Sequence, residues 1–183
     1  DSLDKPKWEN VIPSNKVNLE PLAYHTGTLV GNKYYIIGGN DKFIRQSAFI
    51  YIYDLEKNTL EQIKIEKNED ICYLSMHSAG YNQSKNEIIL FGGYSEGDML
   101  NTVYRFNIET KEITKIESSE TDVNKIPLPR TGHSSFISDN NLYIFGGTIK
   151  DGGLLHDFWK LNLDSATWEK ILPNNNGSNN NNP

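Results

Sequence analysis

Three short apolar segments, each ending in a Gly-Gly pair, recur at a fixed interval along this chain of 183 residues. The first glycines of the pairs are separated by two intervals of 54 residues, and the segments read Tyr35-Ile36-Ile37-Gly38-Gly39, Ile89-Leu90-Phe91-Gly92-Gly93 and Tyr143-Ile144-Phe145-Gly146-Gly147. A constant period of this size is typical of repeated supersecondary units that stack on their neighbours. The chain is therefore predicted to contain three copies of one small unit.

The residues on either side of the glycine pairs fall into the same register. Upstream of each pair lies a histidine, at His25, His77 and His133. Downstream, an alternating segment carries a large ring at Tyr51, Tyr104 and Trp159, and after a polar turn a further apolar residue follows at Leu60, Ile113 and Trp168. Period-two alternation, β-branched and aromatic residues, and turn residues at the breaks predict β-strands. Each unit is thus expected to be four short antiparallel strands, as in a propeller blade.

Two sets of repeated residues have an expected structural role. Glycine adopts positive φ and lets a neighbouring backbone approach closely, which suits the end of a second strand. Large rings would fill the wedge between adjacent blades while each places its polar atom at a partner. We assign these roles to the glycines Gly38, Gly39, Gly92, Gly93, Gly146 and Gly147 and to the rings of Tyr51, Tyr104, Trp159 and Trp168.

The third unit carries the fullest motif, from Arg130-Thr131-Gly132-His133 through the strand ending in Gly146-Gly147 to Thr167-Trp168. This ordered motif resembles the Kelch repeat, and the resemblance covers nearly everything from Pro21 to Leu172. It implies an all-β Kelch-type β-propeller with three four-stranded antiparallel blades plus one N-terminal strand of a further blade, an incomplete ring. Leu60 and Ile113 stand where the family usually has Trp, which predicts smaller wedges in the first two blades.

The repeat divides the chain into segments. We expect the last strand of a preceding or closing blade, with a linker, over 1–20, blades over 21–72, 73–126 and 127–173, and an Asn-rich disordered tail over 174–183. Trp8 lies 52 residues before Leu60, which predicts the outermost strand of that further blade. Three blades leave two blade faces uncovered. The chain is therefore interpreted as part of a longer six- or seven-bladed protein, with self-association through the open blade faces as the alternative.

Composition restricts the class of partner. A formal net charge of -6 argues against nucleic-acid binding, which needs a basic stripe. No apolar run approaches the length of a membrane span. Cys72 is the single cysteine, so no internal disulfide is possible, and a reducing compartment, the cytoplasm or the nucleus, is expected.

Loop lengths are unequal at the two ends of the expected blades. The turns after the first and third strands are short, whereas the connections after the second and fourth strands are long. Long loops at one end of a scaffold are where binding usually resides, so we expect a protein or peptide partner there. Phe43 and Arg45 are the first candidates because aromatic and Arg residues dominate interface hot spots. The alternative is that Phe43 or Ile44 tucks beneath its own loop. Further candidate contacts are Asp41, Tyr94, Glu96, Asp98, Lys150 and Asp151.

The repeated histidines suggest two opposed interpretations. A ring of imidazoles from His25, His77 and His133 could hold zinc, copper or iron, provided that the side chains converge. Recurrence in every unit favours a structural role instead, such as a hydrogen bond from the ring to neighbouring backbone. Arg130 could likewise bind an anion or hold the loop that enters its strand, and the latter is preferred.

No catalytic motif accompanies the repeat. Nucleophile-elbow, phosphate-loop and zinc-ligand patterns are absent from the sequence. Copper oxidases that resemble galactose oxidase need a Tyr–Cys crosslink beside histidine ligands, and Cys72 is the only cysteine available. We expect a non-catalytic interaction module without a metal or cofactor. The alternative is a regulatory or catalytic propeller within a larger enzyme.

Overall fold

The computed structural model describes residues 7–66 and 73–171. Cys72 and the expected tail at 174–183 lie outside the described residues. Within the described residues the chain is all-β apart from a single 3-10 turn at Val123–Lys125. No helix in this part of the chain is long and apolar enough to cross a membrane.

Three four-stranded sheets follow one another along the chain, and we call them blades 1, 2 and 3. Blade 1 contains β1 (Thr26–Val30), β2 (Lys33–Ile37), β3 (Phe49–Asp54) and β4 (Thr59–Lys64). Blade 2 begins with β5 (Ser78–Asn82) and β6 (Glu87–Phe91), continues through a ribbon of β7 (Tyr94–Ser95) and β8 (Asp98–Met99), and ends with β9 (Val103–Asn107) and β10 (Ile113–Ile116). Blade 3 contains β11 (Ser134–Ser138), β12 (Asn141–Phe145), β13 (Phe158–Asn162) and β14 (Thr167–Lys170).

All strand pairs in the blades are antiparallel, and neighbours in the sequence are neighbours in the sheet. The expected architecture of three four-stranded antiparallel blades is thereby confirmed, and the blades do not close into a ring. Equivalent residues pair in equivalent registers, as Thr26 with Ile37, Ser78 with Phe91 and Ser134 with Phe145.

The second glycine of each pair has a measurable steric reason. Gly93 has φ of 91°, and a Cβ at this position would lie 2.5 Å from the carbonyl oxygen of Ser75. Gly39 and Gly147 are equivalent, with Cβ positions 2.8 Å from the Ala23 oxygen and 2.7 Å from the Thr131 oxygen. Real Cβ atoms do not approach backbone oxygen so closely. The chain crossing over each second strand therefore requires glycine.

The apolar core lies between adjacent blades. Ile37, Ile52, Leu90 and Tyr104 belong to the cluster between blades 1 and 2. The cluster between blades 2 and 3 is more aromatic, and its members include Phe91, Trp159 and Trp168. The Trp168 ring contacts Phe91 edge-on at 5.5 Å between centroids and Trp159 at 6.4 Å. Tyr51 points away from both clusters and is nevertheless fully buried.

The strand expected around Trp8 does not form, which corrects one part of the predicted fold. Residues 7–20 contain no strand, and the Trp8 side chain is completely exposed. A strand needs a neighbouring backbone with which to exchange hydrogen bonds, and none of the described residues pairs with residues 7–11. Downstream, the Asn15 amide instead bonds both the N–H and the C=O of Leu60, each at 2.8 Å.

The remainder of this N-terminal segment follows the path of a connection between blades. The Ser14 N–H donates to the Asn58 oxygen at 2.7 Å, in the turn between β3 and β4. The connection that leaves blade 2 repeats this contact, because the Ser119 N–H donates to the Ala166 oxygen at 3.1 Å in the equivalent turn of blade 3. The linker expected within residues 1–20 thus occupies the position that a linker takes elsewhere in the chain.

Candidate partner-binding surface

The long connections lie together because of strand direction. In an antiparallel meander, the connections after the second strand and before the first strand emerge at the same end of the blade. The loops that follow β2, β6 and β12, and the segments that enter β5 and β11, therefore share one end of the molecule. We call it the long-loop end. It contains every residue that the sequence analysis proposed for partner contact.

Asp41 organises the loop between β2 and β3. Its carboxylate accepts the N–H groups of Phe43 at 2.8 Å and Arg45 at 3.0 Å, and the Arg45 guanidinium at 2.6 and 2.9 Å. The hydrogen bond from the Arg45 side chain is the main cause that lowers the pKa of Asp41. The Asp41 side chain is only 10 % exposed, so it acts within its own loop.

Phe43 and Ile44 project from this loop into solvent. Phe43 is 64 % exposed and Ile44 is 81 % exposed, so the alternative that either one tucks beneath the loop is wrong. The Lys42 ammonium lies 4.9 Å from the centre of the Phe43 ring, and the Arg45 guanidinium carbon lies 5.0 Å from it. The loop therefore presents an exposed apolar ring with a cation on either side.

Side chains join the three long loops across the blade boundaries. The Gln46 amide donates to the Tyr94 carbonyl oxygen at 2.6 Å and accepts the Glu96 N–H at 3.2 Å. Between blades 2 and 3, the Lys150 ammonium donates to Asp98 at 2.8 Å, which raises the pKa of Lys150. The residues proposed for contact on blades 2 and 3 thus belong to one continuous surface, in which Asp98 and Lys150 are paired with each other. Asp151 is exposed beside Lys150.

Two exposed residues at this end were missed from the sequence. Tyr24 and Met76 directly precede His25 and His77, at the position that Gly132 occupies in blade 3. Their backbone φ angles are 61° and 56°, close to the 63° of Gly132. The signal that could have found them is this correspondence, because a large side chain where the repeat takes glycine needs an explanation.

Two of the repeated histidines join adjacent blades. His77 Nε2 lies 2.9 Å from the Thr26 hydroxyl of blade 1, and His133 Nε2 lies 2.8 Å from the Ser78 hydroxyl of blade 2. The partner atom is thus a side-chain hydroxyl of the preceding blade, whereas the sequence analysis named backbone. Burial lowers the pKa of His77 to about 3 and the pKa of His133 to about 4. His25 is exposed.

The histidines occupy successive blade boundaries instead of facing a common point. Within residues 7–66 and 73–171, no group of three or more His, Cys, Asp or Glu side chains is placed to hold a metal ion.

Arg130 is fully buried and saturated with partners. It forms a bidentate pair with Asp157 at 2.6 and 2.9 Å and also donates to the carbonyl oxygens of Gly146 and Leu128, each at 3.0 Å. Burial by itself raises the pKa of Asp157, but hydrogen bonds from Arg130 and Trp159 outweigh it and lower the pKa overall. The guanidinium therefore holds the end of β12 to the start of β13 and is not available to an anion from solvent.

Comparison with known proteins agrees with this fold. Residues 24–181 match the family model described as the KLHDC2/KLHL20/DRC7 Kelch-repeats domain. Because the match covers most of the chain, the chain belongs to this Kelch-repeat family, and the resemblance inferred from the motifs is confirmed. The family and the blades together indicate a propeller module of the protein-interaction type, and Kelch-repeat domains are generally non-catalytic.

Curated relatives share modest identity with the chain. Human Kelch domain-containing protein 10 is 27% identical over 184 residues, which cover 93% of this chain and 40% of the relative. Mouse Kelch domain-containing protein 3 is 28% identical over 162 residues, covering 84% of this chain and 41% of the relative. Ras guanine nucleotide exchange factor F of Dictyostelium discoideum is 27% identical over 149 residues, only 12% of its length. The chain spans about two-fifths of the length of the Kelch domain-containing relatives.

Proposed function

We propose that the long-loop end docks a protein or peptide partner, in the cytoplasm or the nucleus, and that the loop at residues 41–46 supplies the main contact. The observation that carries this proposal is the exposed Phe43 ring, flanked by Lys42 and Arg45 on a loop that Asp41 holds in shape. An aromatic ring fixed before binding loses little conformational freedom when a partner covers it. Arginine beside it offers planar donors to carboxylate or carbonyl groups.

The other proposed contacts surround this loop. Tyr94 and Glu96 lie where Gln46 joins blade 2 to blade 1, so a partner that covers Phe43 would extend onto them. Asp98, Lys150 and Asp151 form the blade 3 side of the same surface. Because Asp98 and Lys150 already bind each other, we assign them to the rim, where charges influence specificity and association rate more than affinity.

The test uses short random peptides displayed on phage and selected on the purified chain. Affinities of the enriched peptides are then compared between the wild-type protein and the Phe43→Ala/Arg45→Ala double variant. We expect at least about a tenfold loss, because truncating a hot-spot residue costs more than about 1 kcal/mol. The thermal midpoint should stay unchanged because both side chains are exposed.

The matched control is Leu55→Ala, which removes an apolar side chain of similar exposure in the turn between β3 and β4. Its peptide affinities should equal those of the wild-type protein. Binders that tolerate the double variant would remove Phe43 and Arg45 from the partner site.

A second candidate function is a regulatory propeller within a larger enzyme. It is favoured by similarity to long Dictyostelium discoideum proteins, the Ras guanine nucleotide exchange factor F and a probable serine/threonine-protein kinase, of which the matched segments cover only 12% and 10%. If a catalytic domain is present in the full-length transcript, the double variant should alter its regulation without altering basal activity. A metal-dependent enzyme is tested separately, because substoichiometric copper, iron and zinc in the purified chain would exclude it.

A further inference from the structure

Two large side chains of the long-loop end occupy a backbone conformation that favours glycine. Tyr24 and Met76 have φ of 61° and 56°, and the equivalent residue of blade 3 is Gly132 with φ of 63°. Left-handed backbone is unfavourable for residues with a Cβ, and tyrosine and methionine have no side-chain polar group that bonds locally to offset the cost. Residues held in this way are concentrated at sites where a ligand or partner binds.

The position of these residues is the inner rim of the proposed partner surface. Each residue lies two positions before the innermost strand of its blade, and the Met76 N–H donates to the Tyr24 oxygen at 3.0 Å, which places the two residues side by side across the blade boundary. The preceding residues, Ala23 and Ser75, form β-bridges to Asn40 and Tyr94, the first residues of the two long loops after the glycine pairs. The rim is therefore continuous with the loops that carry Phe43 and Tyr94.

Internal packing does not explain either side chain. Tyr24 is 59 % exposed, Met76 is 38 % exposed, and neither belongs to a cluster between blades. At Gly132, a Cβ would find no heavy atom within 4 Å. Two apolar side chains thus stand beside an open position, and a group that enters from outside would contact all three residues.

We infer that Tyr24 and Met76 form the inner anchor site of the partner surface and receive an apolar side chain of an extended peptide segment from a partner protein. Tyrosine offers a large rigid surface, and methionine adapts to the shape of what it contacts. The adjoining loops of blades 2 and 3 carry three carboxylates, Glu96, Asp98 and Asp151, against the single cation of Lys150. The bound segment therefore carries a basic residue next to its apolar anchor. This inference rests on the proposed function.

The experiment extends the phage selection on the purified chain to a Tyr24→Gly/Met76→Gly double variant. Enriched peptides should share an apolar residue beside Lys or Arg, and they should bind the variant at least about tenfold more weakly. Glycine is relaxed at this backbone geometry, so the thermal midpoint of the variant should equal or exceed that of the wild-type protein. A purely structural role would instead lower the midpoint. The matched control is Asp139→Gly, the same left-handed residue-to-glycine change, φ 48°, at the opposite end of the molecule.

The outcomes separate this inference from the proposed function. If the peptides tolerate Tyr24→Gly/Met76→Gly but lose affinity on Phe43→Ala/Arg45→Ala, the inner anchor site is wrong and the proposed function stands. If they tolerate both double variants, or if no peptide is enriched, both proposals are wrong. Loss of affinity in both, with normal binding to Asp139→Gly, supports both.

Discussion

A single repeat position takes three different environments in this chain. His25, His77 and His133 follow the same pattern in sequence, yet His25 is exposed, His77 is buried and His133 is partly buried. What differs is the preceding blade: Thr26 and Ser78 supply hydroxyl partners to His77 and His133. The motif therefore specifies the residue, whereas its environment depends on what packs against that face.

The buried imidazole of His77 makes stability depend on pH. The unfolded chain takes up a proton at His77 near the ordinary pKa of 6.5, whereas the folded chain keeps the ring neutral down to about pH 3. The contribution of His77 is thus fully present above pH 6.5 and falls by about 1.4 kcal/mol per pH unit between pH 6.5 and about 3. His25 and His133 add to this effect because their positive forms repel a proton on His77.

This pH effect is tested by urea unfolding of the wild-type protein and His77→Gln at several pH values from 7 down to 4. Glutamine keeps a donor for the Thr26 hydroxyl but does not titrate. The variant should be less stable at pH 7, and the difference between the two proteins should shrink as the pH falls. A difference that stays constant over this range would show that His77 is not the titrating group.

At the scale of elements, the long loops are shaped by their own side chains. The Asp41 carboxylate accepts four donor groups from residues 43 and 45, and Gln46 bonds to the backbone of the neighbouring loop. Loop length, which is visible in the sequence, predicted the end at which binding should occur. The internal contacts depend on turns that bring Asp41 over Phe43 and Arg45, and these turns have no repeating pattern from which to predict them.

Removal of the Asp41 carboxylate should loosen this loop without unfolding the blade. In Asp41→Ala, the N–H groups of Phe43 and Arg45 lose their acceptor, so amide hydrogen exchange at residues 41–46 should rise while exchange in β6 stays unchanged. Peptides selected on the wild-type protein should bind more weakly. Asp41→Asn is the matched control, because its amide oxygen still accepts the two N–H groups. Equal exchange in Asp41→Ala and the wild-type protein would contradict the assigned role.

At the scale of the whole molecule, blades are stabilised mainly by their neighbours. Phe91 and Phe145 occupy the same repeat position, but Phe91 is 1 % exposed between blades 2 and 3, whereas Phe145 is 54 % exposed on the outer face of blade 3. Phe91 contacts Trp168 at 5.5 Å and His133 at 5.1 Å between ring centres, both on the next blade. Its core is thus shared between repeats.

The two equivalent phenylalanines provide an internally matched test. Phe91→Ala should lower the free energy of unfolding by about 3–5 kcal/mol, because it leaves a cavity between blades. Phe145→Ala, the same change at the same repeat position, should cost much less because little of its surface is buried. Chemical denaturation of both variants measures the two costs, and equal costs would show that blade contacts do not dominate stability.

The sequence alone determined the repeat, the four-stranded blades, the positions of the glycine pairs and the family, because all of these follow from local alternation and from a spacing that recurs three times. It also placed Trp8 in register for an outer strand, but register is not pairing, and residues 7–11 meet no strand edge among the described residues. Only the tertiary structure decided that Arg130 is saturated by Asp157, that His77 bonds across a blade boundary, and that Tyr24 and Met76 stand exposed with left-handed backbone. Each of these depends on contacts between residues far apart in the chain, and such contacts form only when blades pack side by side.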